Sequence, residues 1–217
     1  YVRHFTPHVW AAPYSFYQFQ MPSWGAWQKA WKDGKLTGVQ ASIWENDQPV
    51  EEFYDTQSDP SEIKNLASDP AHAAHIAKMR KALRTQMISI RDTAVVPEPL
   101  FNSVSNDKPI ATAVSAKDFP FEQLLDLAFL ASARDEANLA KLREAASSKN
   151  PVVRYWGLSG LVTLGGKAAP AKDLLTKALT DSETINQAQA AHALYRIGVK
   201  DLALKTLTDG LIDESLP

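Results

Sequence analysis

Leu142 to Gly165 aligns without gaps onto Leu175 to Gly198, an internal repeat with a period of 33 residues. Ala145 falls on Ala178, Leu161 on Leu194, Leu164 on Ile197 and Gly165 on Gly198. The register continues, with Leu174 on Leu207 and Ala178 on Leu211. A period of this length marks stacked helical or strand units rather than one closed core. Each copy reads as two helices: Asn150-Pro151 opens one, Gly165-Gly166 ends it, and Pro170 lies in the first turn of the next. A single helix pair cannot bury its own apolar face, so pairs of this kind stack. Leu161, Leu164, Leu194 and Ile197 are the predicted shared core, and a third copy stops at Pro217 just after its first helix.

The repeat occupies only part of the 217 residues, and the composition changes along the chain. Thirteen of the 20 aromatic residues, including five of six Trp, precede position 55, whereas 18 of 22 Leu follow position 120. Between them, residues 97 to 120 carry Pro97, Pro99, Pro109 and Pro120 with Asn102, Ser103, Ser105, Asn106 and Asp107. That stretch predicts a linker or a loop wrapped over a surface. The expected organisation is a mixed unit over 1–99, a connection over 100–120 and a helical-repeat unit over 121–217. The expected class is α+β: a small antiparallel sheet with helices, then an all-α repeat.

In the first unit, Tyr1 to Thr6 alternates like a strand and ends at Pro7. Val39 to Trp44 and Val50 to Tyr54 predict a hairpin, with Pro49 kept to its turn. Ser23 to Lys32 sets Trp24, Trp27 and Trp31 on one helical face, and Gly34 stops that helix. A Trp stripe at this spacing is a core feature rather than a ligand box. Asp59, with Pro60 and Glu62, predicts a short capped turn, and Asp69-Pro70 a longer helix to about Arg91. Its apolar stripe is Ala73, Ile76, Met79, Leu83, Met87 and Ile90, and Lys78, Lys81 and Arg84 form a solvated face.

Charge and motifs exclude several functions. Net charge is −2, with 10 basic and 11 acidic residues in 1–99, so no basic face invites nucleic acid. No apolar run reaches the ~20 residues of a membrane span. No Cys is present, which removes disulfides, zinc-thiolate sites and a cysteine nucleophile. There is no G-x-S-x-G, H-E-x-x-H, Walker or G-x-G-x-x-G motif. His72 and His75 lack a third ligand at a defined offset and read as surface histidines. His192 reads as a packing residue among alanines, and Ser159 sits in mid-helix where no strained turn presents it. The chain opens on Tyr1 without an initiator Met or signal peptide, as expected of a processed product or part of something longer.

Glu51-Glu52-Phe53-Tyr54-Asp55-Thr56-Gln57-Ser58-Asp59-Pro60-Ser61-Glu62-Ile63-Lys64-Asn65-Leu66-Ala67 resembles the "E-E-L-Y-D-L-x-x-D-P-x-E-x-x-N-L-A" signature near the C-terminus of sulfatases, nearest to the N-sulfoglucosamine sulfohydrolase-like group. Tyr1-Val2-Arg3-His4-Phe5 is similar to a strand of that family, and Gln20-Met21-Pro22, Gly34-Lys35-Leu36, Arg91-Asp92 and Val96-Pro97-Glu98 follow in family order. The resemblance covers residues 1–99. Asn150 to Leu158 resembles the second helix of a HEAT repeat, and helical extensions of that type occur in some bacterial sulfatases.

The sulfatase resemblance implies a formylglycine nucleophile, made from a C/S-x-P-S/A-R motif, beside a calcium ion. Ser58-Asp59-Pro60-Ser61 mimics the Ser form, but Glu62 stands where Arg is required. Both cofactors are therefore implied for a catalytic domain outside this chain. The chain is expected to wall the substrate pocket and support that domain, its principal partner, and to be inactive alone. Periplasmic or secreted placement follows from the same resemblance. Arg3, His4 and His8 are the substrate-facing candidates by charge type, because Arg offers a planar donor fork and His a titratable donor to sulfate or sugar; the alternative for Arg3 and His4 is pairing within the sheet or at the domain interface. Tyr14, with Tyr17 and Trp10, is a candidate to stack on a sugar face. The rival reading is a HEAT-type scaffold whose repeats bind a protein and which carries no hydrolase activity.

Overall fold

Val2–Arg3 (β1) and Glu51–Glu52 (β2) pair antiparallel, Val2 opposite Glu52 and Arg3 opposite Glu51. The computed structural model describes residues 1–12, 15–44 and 47–211. Among these the fold is mostly helical with this one small sheet, an α+β arrangement. The chain divides into two compact units, Tyr1–Met79 and Arg80–Pro217.

Among its described residues the first unit carries α1 (Phe16–Phe19), α2 (Pro22–Lys32) and α3 (Val39–Ser42). Pro22 occupies the first turn of α2, and Gly34, at φ +70°, ends it in a left-handed conformation that other residues resist. Trp24, Trp27 and Trp31 of α2 surround Trp44, with ring centroids 5.4, 5.7 and 6.2 Å from it. Trp44 is 0% exposed.

That indole overturns the expected hairpin. Val39 to Trp44 is not a strand; Val39–Ser42 is helical and β2 pairs with β1 instead. A strand would turn Val39, Ala41 and Ile43 to one side and Trp44 to the other. The helical turn buries Ala41 and Trp44 together, three residues apart, and leaves Val39 56% exposed. Burying the large Trp face outweighs the modest β-propensity of Val and Ile.

The Asp69 carboxylate accepts the Ala71 N–H at 2.9 Å, so a 3-10 turn over Pro70–His72 leads into α4 (Ala73–Ile90). The stripe on α4 is narrower than expected. Ile76 and Met87 are buried and Leu83 half-buried, but Met79 and Ile90 are 45% and 58% exposed. On the charged face, Arg84 stays 37% exposed at its side chain while its guanidinium meets Asp126 at 2.8 and 3.0 Å. Asp59 caps no helix; its carboxylate accepts the Lys64 N–H at 2.7 Å across a turn in which Glu62 takes φ +51°.

The second unit begins with the tail of α4. Residues 97–120 carry a 3-10 turn over Glu98–Leu100, then α5 (Phe101–Ser105) and α6 (Ile110–Val114). Leu100 and Val114 are fully buried, so this proline-rich stretch contributes side chains to a core. Next come α7 (Phe121–Ser132), α8 (Leu139–Ala146), α9 (Pro151–Leu164), α10 (Lys172–Ala178), α11 (Thr184–Arg196) and α12 (Lys200–Leu211). The pairs α8/α9 and α10/α11 are the two copies of the repeat. Leu142 and Leu175 are buried at one equivalent position, Leu161 and Leu194 at another. Gly165 and Gly198 both take positive φ, +59° and +94°, where α9 and α11 end.

The central helix is α9, buried from Tyr155 through Leu164. The Asn150 carboxamide caps it by accepting from the Val152 and Val153 N–H groups at 2.9 and 3.3 Å. The Trp156 indole donates to the Val95 carbonyl at 2.9 Å, tying the segment before α5 to the stack. Gly157 and Gly160 let α8 approach: a Cβ at Gly157 would lie 2.7 Å from the Ala145 carbonyl carbon. Their equivalents on α11 are the fully buried Ala190 and Ala193.

Candidate functional site

The sheet sorts the candidate side chains by its period of two. Arg3 and Glu51 share one face, where the Arg3 guanidinium lies 3.4 Å from a Glu51 carboxylate oxygen and the Tyr1 hydroxyl donates to the same oxygen at 2.6 Å. His4, Glu52 and Tyr54 fall on the other face. His4 Nε2 lies 2.7 Å from Glu52 Oε1, and the Tyr54 hydroxyl donates to Glu52 Oε2 at 2.7 Å. Glu52 therefore joins its own strand to the residue after β1. Burial, then the Glu52 hydrogen bond and charge, push the Tyr54 phenol up to about 12, so it remains a donor throughout the physiological range.

Arg3 is held within the sheet, its side chain 7% exposed. His8 is 5% exposed and thus enclosed within this chain. Trp10 meets Trp31 edge to face at 6.2 Å, whereas Tyr17 is 75% exposed. Tyr14 lies outside the described residues. The structure thus brings Arg3 and His4 to opposite faces of one small sheet.

A cavity of about 410 Å³ lies beside this sheet in the first unit. Glu52, Tyr54, Glu62 and Asn65 line it with Val39 of α3 and Ile43 just after it. Among the described residues its lining includes no Lys, Arg or His.

Residues 51–67 are held by hydrogen bonds within the motif itself. The Asn65 carboxamide oxygen accepts the Phe53 and Ala67 N–H groups at 3.1 and 2.9 Å, and its amide donates to the Glu51 carbonyl at 3.1 Å. The Leu66 N–H closes on the Phe53 carbonyl at 2.7 Å. Asn65 brackets β2 to the loop that follows it. Its role has no local signal beyond the motif, because two of its three backbone partners, Phe53 and Glu51, lie twelve and fourteen residues away. The Ser58 hydroxyl is engaged with Asp55 Oδ2 at 2.9 Å. Ser58 and the Gln57 N–H hold the Asp55 carboxyl below the usual range.

Among the described residues no group of three or more His, Cys, Asp or Glu side chains is placed to hold a metal ion. His72 rests against the Phe53 ring at 5.5 Å and His75 is exposed. The Asp55 and Asp59 carboxylates are both engaged in turn hydrogen bonds. No helix among the described residues is long and apolar enough to cross a membrane.

No protein-family model matches the chain, and no solved structure matches it. Over 116 residues, 52% of its length, the chain is 30% identical to an ulvan-active sulfatase of Formosa agariphila. The chain spans 20% of that protein. It contains a sulfatase-like region.

Proposed function

We propose that this chain is the C-terminal part of a sulfatase acting on sulfated sugars, where it supports a catalytic domain and walls the substrate pocket. The 116-residue similarity to a sulfatase carries the reading. The hydrogen-bonded loop over 51–67 supports it, because it gives the motif residues a structural task suited to a non-catalytic subdomain. Formylglycine and calcium belong, in this reading, to the catalytic domain, and secretion or export to the periplasm to the whole enzyme. The helical repeats are a HEAT-like extension that contacts a protein. The ulvan-active relative makes ulvan the first polymer to assay.

The coding sequence upstream of Tyr1 tests this directly. A C/S-x-P-S/A-R motif a few hundred residues upstream is expected. Its absence, or metal-dependent turnover of an aryl sulfate by the purified 217-residue chain above a heat-killed control, would overturn the assignment.

A further inference from the structure

Within the second unit, α5, α6 and the first turn of α9 enclose a cavity of about 640 Å³, the size of a small-molecule site. Its polar lining includes Ser105, Asn106, Lys108, Thr112 and Asp118. None of these five side chains makes a hydrogen bond or ion pair among the described residues. Four of them are exposed and can turn to water, but Ser105 is 5% exposed. A buried hydroxyl without a partner is costly, and a guest that supplies one recovers the cost. The walls are fixed from outside the cavity. The Ser103 hydroxyl donates to Glu183 Oε2 at 3.0 Å, and Arg91 Nη2 donates to the Ala116 carbonyl at 3.1 Å. Leu100 and Val114 are 0% exposed, so the segments that carry the lining are seated on the core. The cavity is preformed.

The inventory of donors and acceptors selects the guest. Lys108 only donates, Asp118 only accepts, and Ser105, Asn106 and Thr112 do both. Among the described residues the lining holds one amine against one carboxylate, without the excess of cations that a phosphate or sulfate calls for. Phe119 and Pro120 add apolar surface beside these groups. A sugar ring matches the mixture: each hydroxyl both donates and accepts, and the C–H face packs on apolar or aromatic surface. We propose that this cavity binds a saccharide through its hydroxyls and ring face, without engaging anionic substituents. Asn106 and Asp107 take left-handed conformations in succession, φ +49° and +63°, and backbone strain of this kind gathers at ligand sites. The site stands on its own lining and does not depend on the sulfatase assignment, so absence of the upstream motif would leave it intact.

An NMR titration of the labelled 217-residue chain tests this, with ulvan oligosaccharides before and after desulfation, cellotriose and xylotriose as the probes. At least one probe should bind saturably and shift amides within 103–119 and 150–152. Affinity should change less than about twofold between roughly 0.05 and 0.5 M sodium chloride, because hydroxyl contacts are not screened as charge pairs are. Ser105→Ala deletes the buried hydroxyl, and Asn106→Gly deletes a carboxamide while keeping the left-handed backbone. Each should weaken binding roughly fivefold or more. Circular dichroism melting identifies which variant remains folded. No binding by any probe, shifts confined to other residues, or binding indifferent to both substitutions would overturn the proposal. Binding that requires the sulfate groups and is lost in salt would make the cavity an anion site, and that also overturns it.

Discussion

Arg154 and Asp181 form a two-pronged ion pair, Nε to Oδ2 at 2.6 Å and Nη2 to Oδ1 at 2.8 Å, between one repeat and the next. Their side chains are 15% and 7% exposed. The remaining polar atoms are also served: Arg154 Nη1 donates to the Ser148 and Lys149 carbonyls, and Asp181 accepts from the Glu183 N–H. Its position one period earlier is Ser148, so the first copy lacks the acid and the contact is particular to this junction.

Removing one partner strands the other. Arg154→Met should destabilise the second unit by roughly 3–5 kcal/mol, the usual cost of an unpaired enclosed charge. Burial alone would raise the Asp181 carboxyl, but the Arg154 hydrogen bonds, the Glu183 N–H and the Arg154 charge together lower it. The depressed group contributes stability above the ordinary Asp range and loses it as pH falls through its folded-state value. Urea denaturation at neutral pH should therefore separate parent and Arg154→Met widely, and the gap should close on acidification. A gap that widens at low pH would contradict this reading of the pair.

Gly157 is a matter of space. A Cβ there would overlap the Ala146 backbone nitrogen and lie 2.8 Å from its Cα, and backbone cannot rotate away as a side chain can. Gly157→Ala should lower the melting temperature by an amount equivalent to roughly 1–3 kcal/mol or more. Gly166→Ala, where nothing lies within 4 Å, is the control and should melt close to the parent. Equal melting of the two variants would show that α8 yields.

Tyr54 should titrate late. Difference absorbance between the parent and Tyr54→Phe should place its ionisation near 12 instead of near 10. Glu52→Gln removes the charge beside it and should bring the phenol down. Since the folded-state value is raised, the associated stability is complete below pH ~10 and disappears as pH rises through about 12. An unshifted phenol in the folded parent would mean that the Tyr54–Glu52 bond does not persist in solution.

Asn65→Ala deletes the two bonds, from the Phe53 N–H and to the Glu51 carbonyl, that join the loop to the β2 segment, and the local bond from the Ala67 N–H. Each exposed bond contributes about 1 kcal/mol, so the unit should stay folded while the loop loosens. Amide exchange should accelerate at Phe53 and Ala67, and proteolysis should move to residues 55–64. Unchanged exchange at both amides would show that the Leu66–Phe53 backbone bond holds the loop by itself.

Elements with local punctuation were legible before any coordinates. Asp69 and Asn150 cap the helices they precede, Gly34 ends α2, and Gly165 and Gly198 mark the repeat. In each case the determining interaction lies within a turn or two of the residue, so its chemistry is written beside it. The acid at Glu52 and the base at His4 were visible as residue types, but their 2.7 Å meeting across 48 residues was not.

Three features were decided only by tertiary structure. Val39 to Trp44 suits strand or helix by propensity, and the cluster around Trp44 selects the helix because it alone buries Ala41 and Trp44 together. Arg84 sits on a face that any helical wheel calls solvated, yet Asp126 arrives from α7 to bind it. His8 follows a strand end in what reads as an exposed loop, and the fold encloses it to 5% exposure. Local hydrogen bonds and caps depend on neighbours in sequence, and the chain specifies them outright. Which face is buried, and which charge is paired, depends on the surface that packs against it, and that partner lies dozens of residues away.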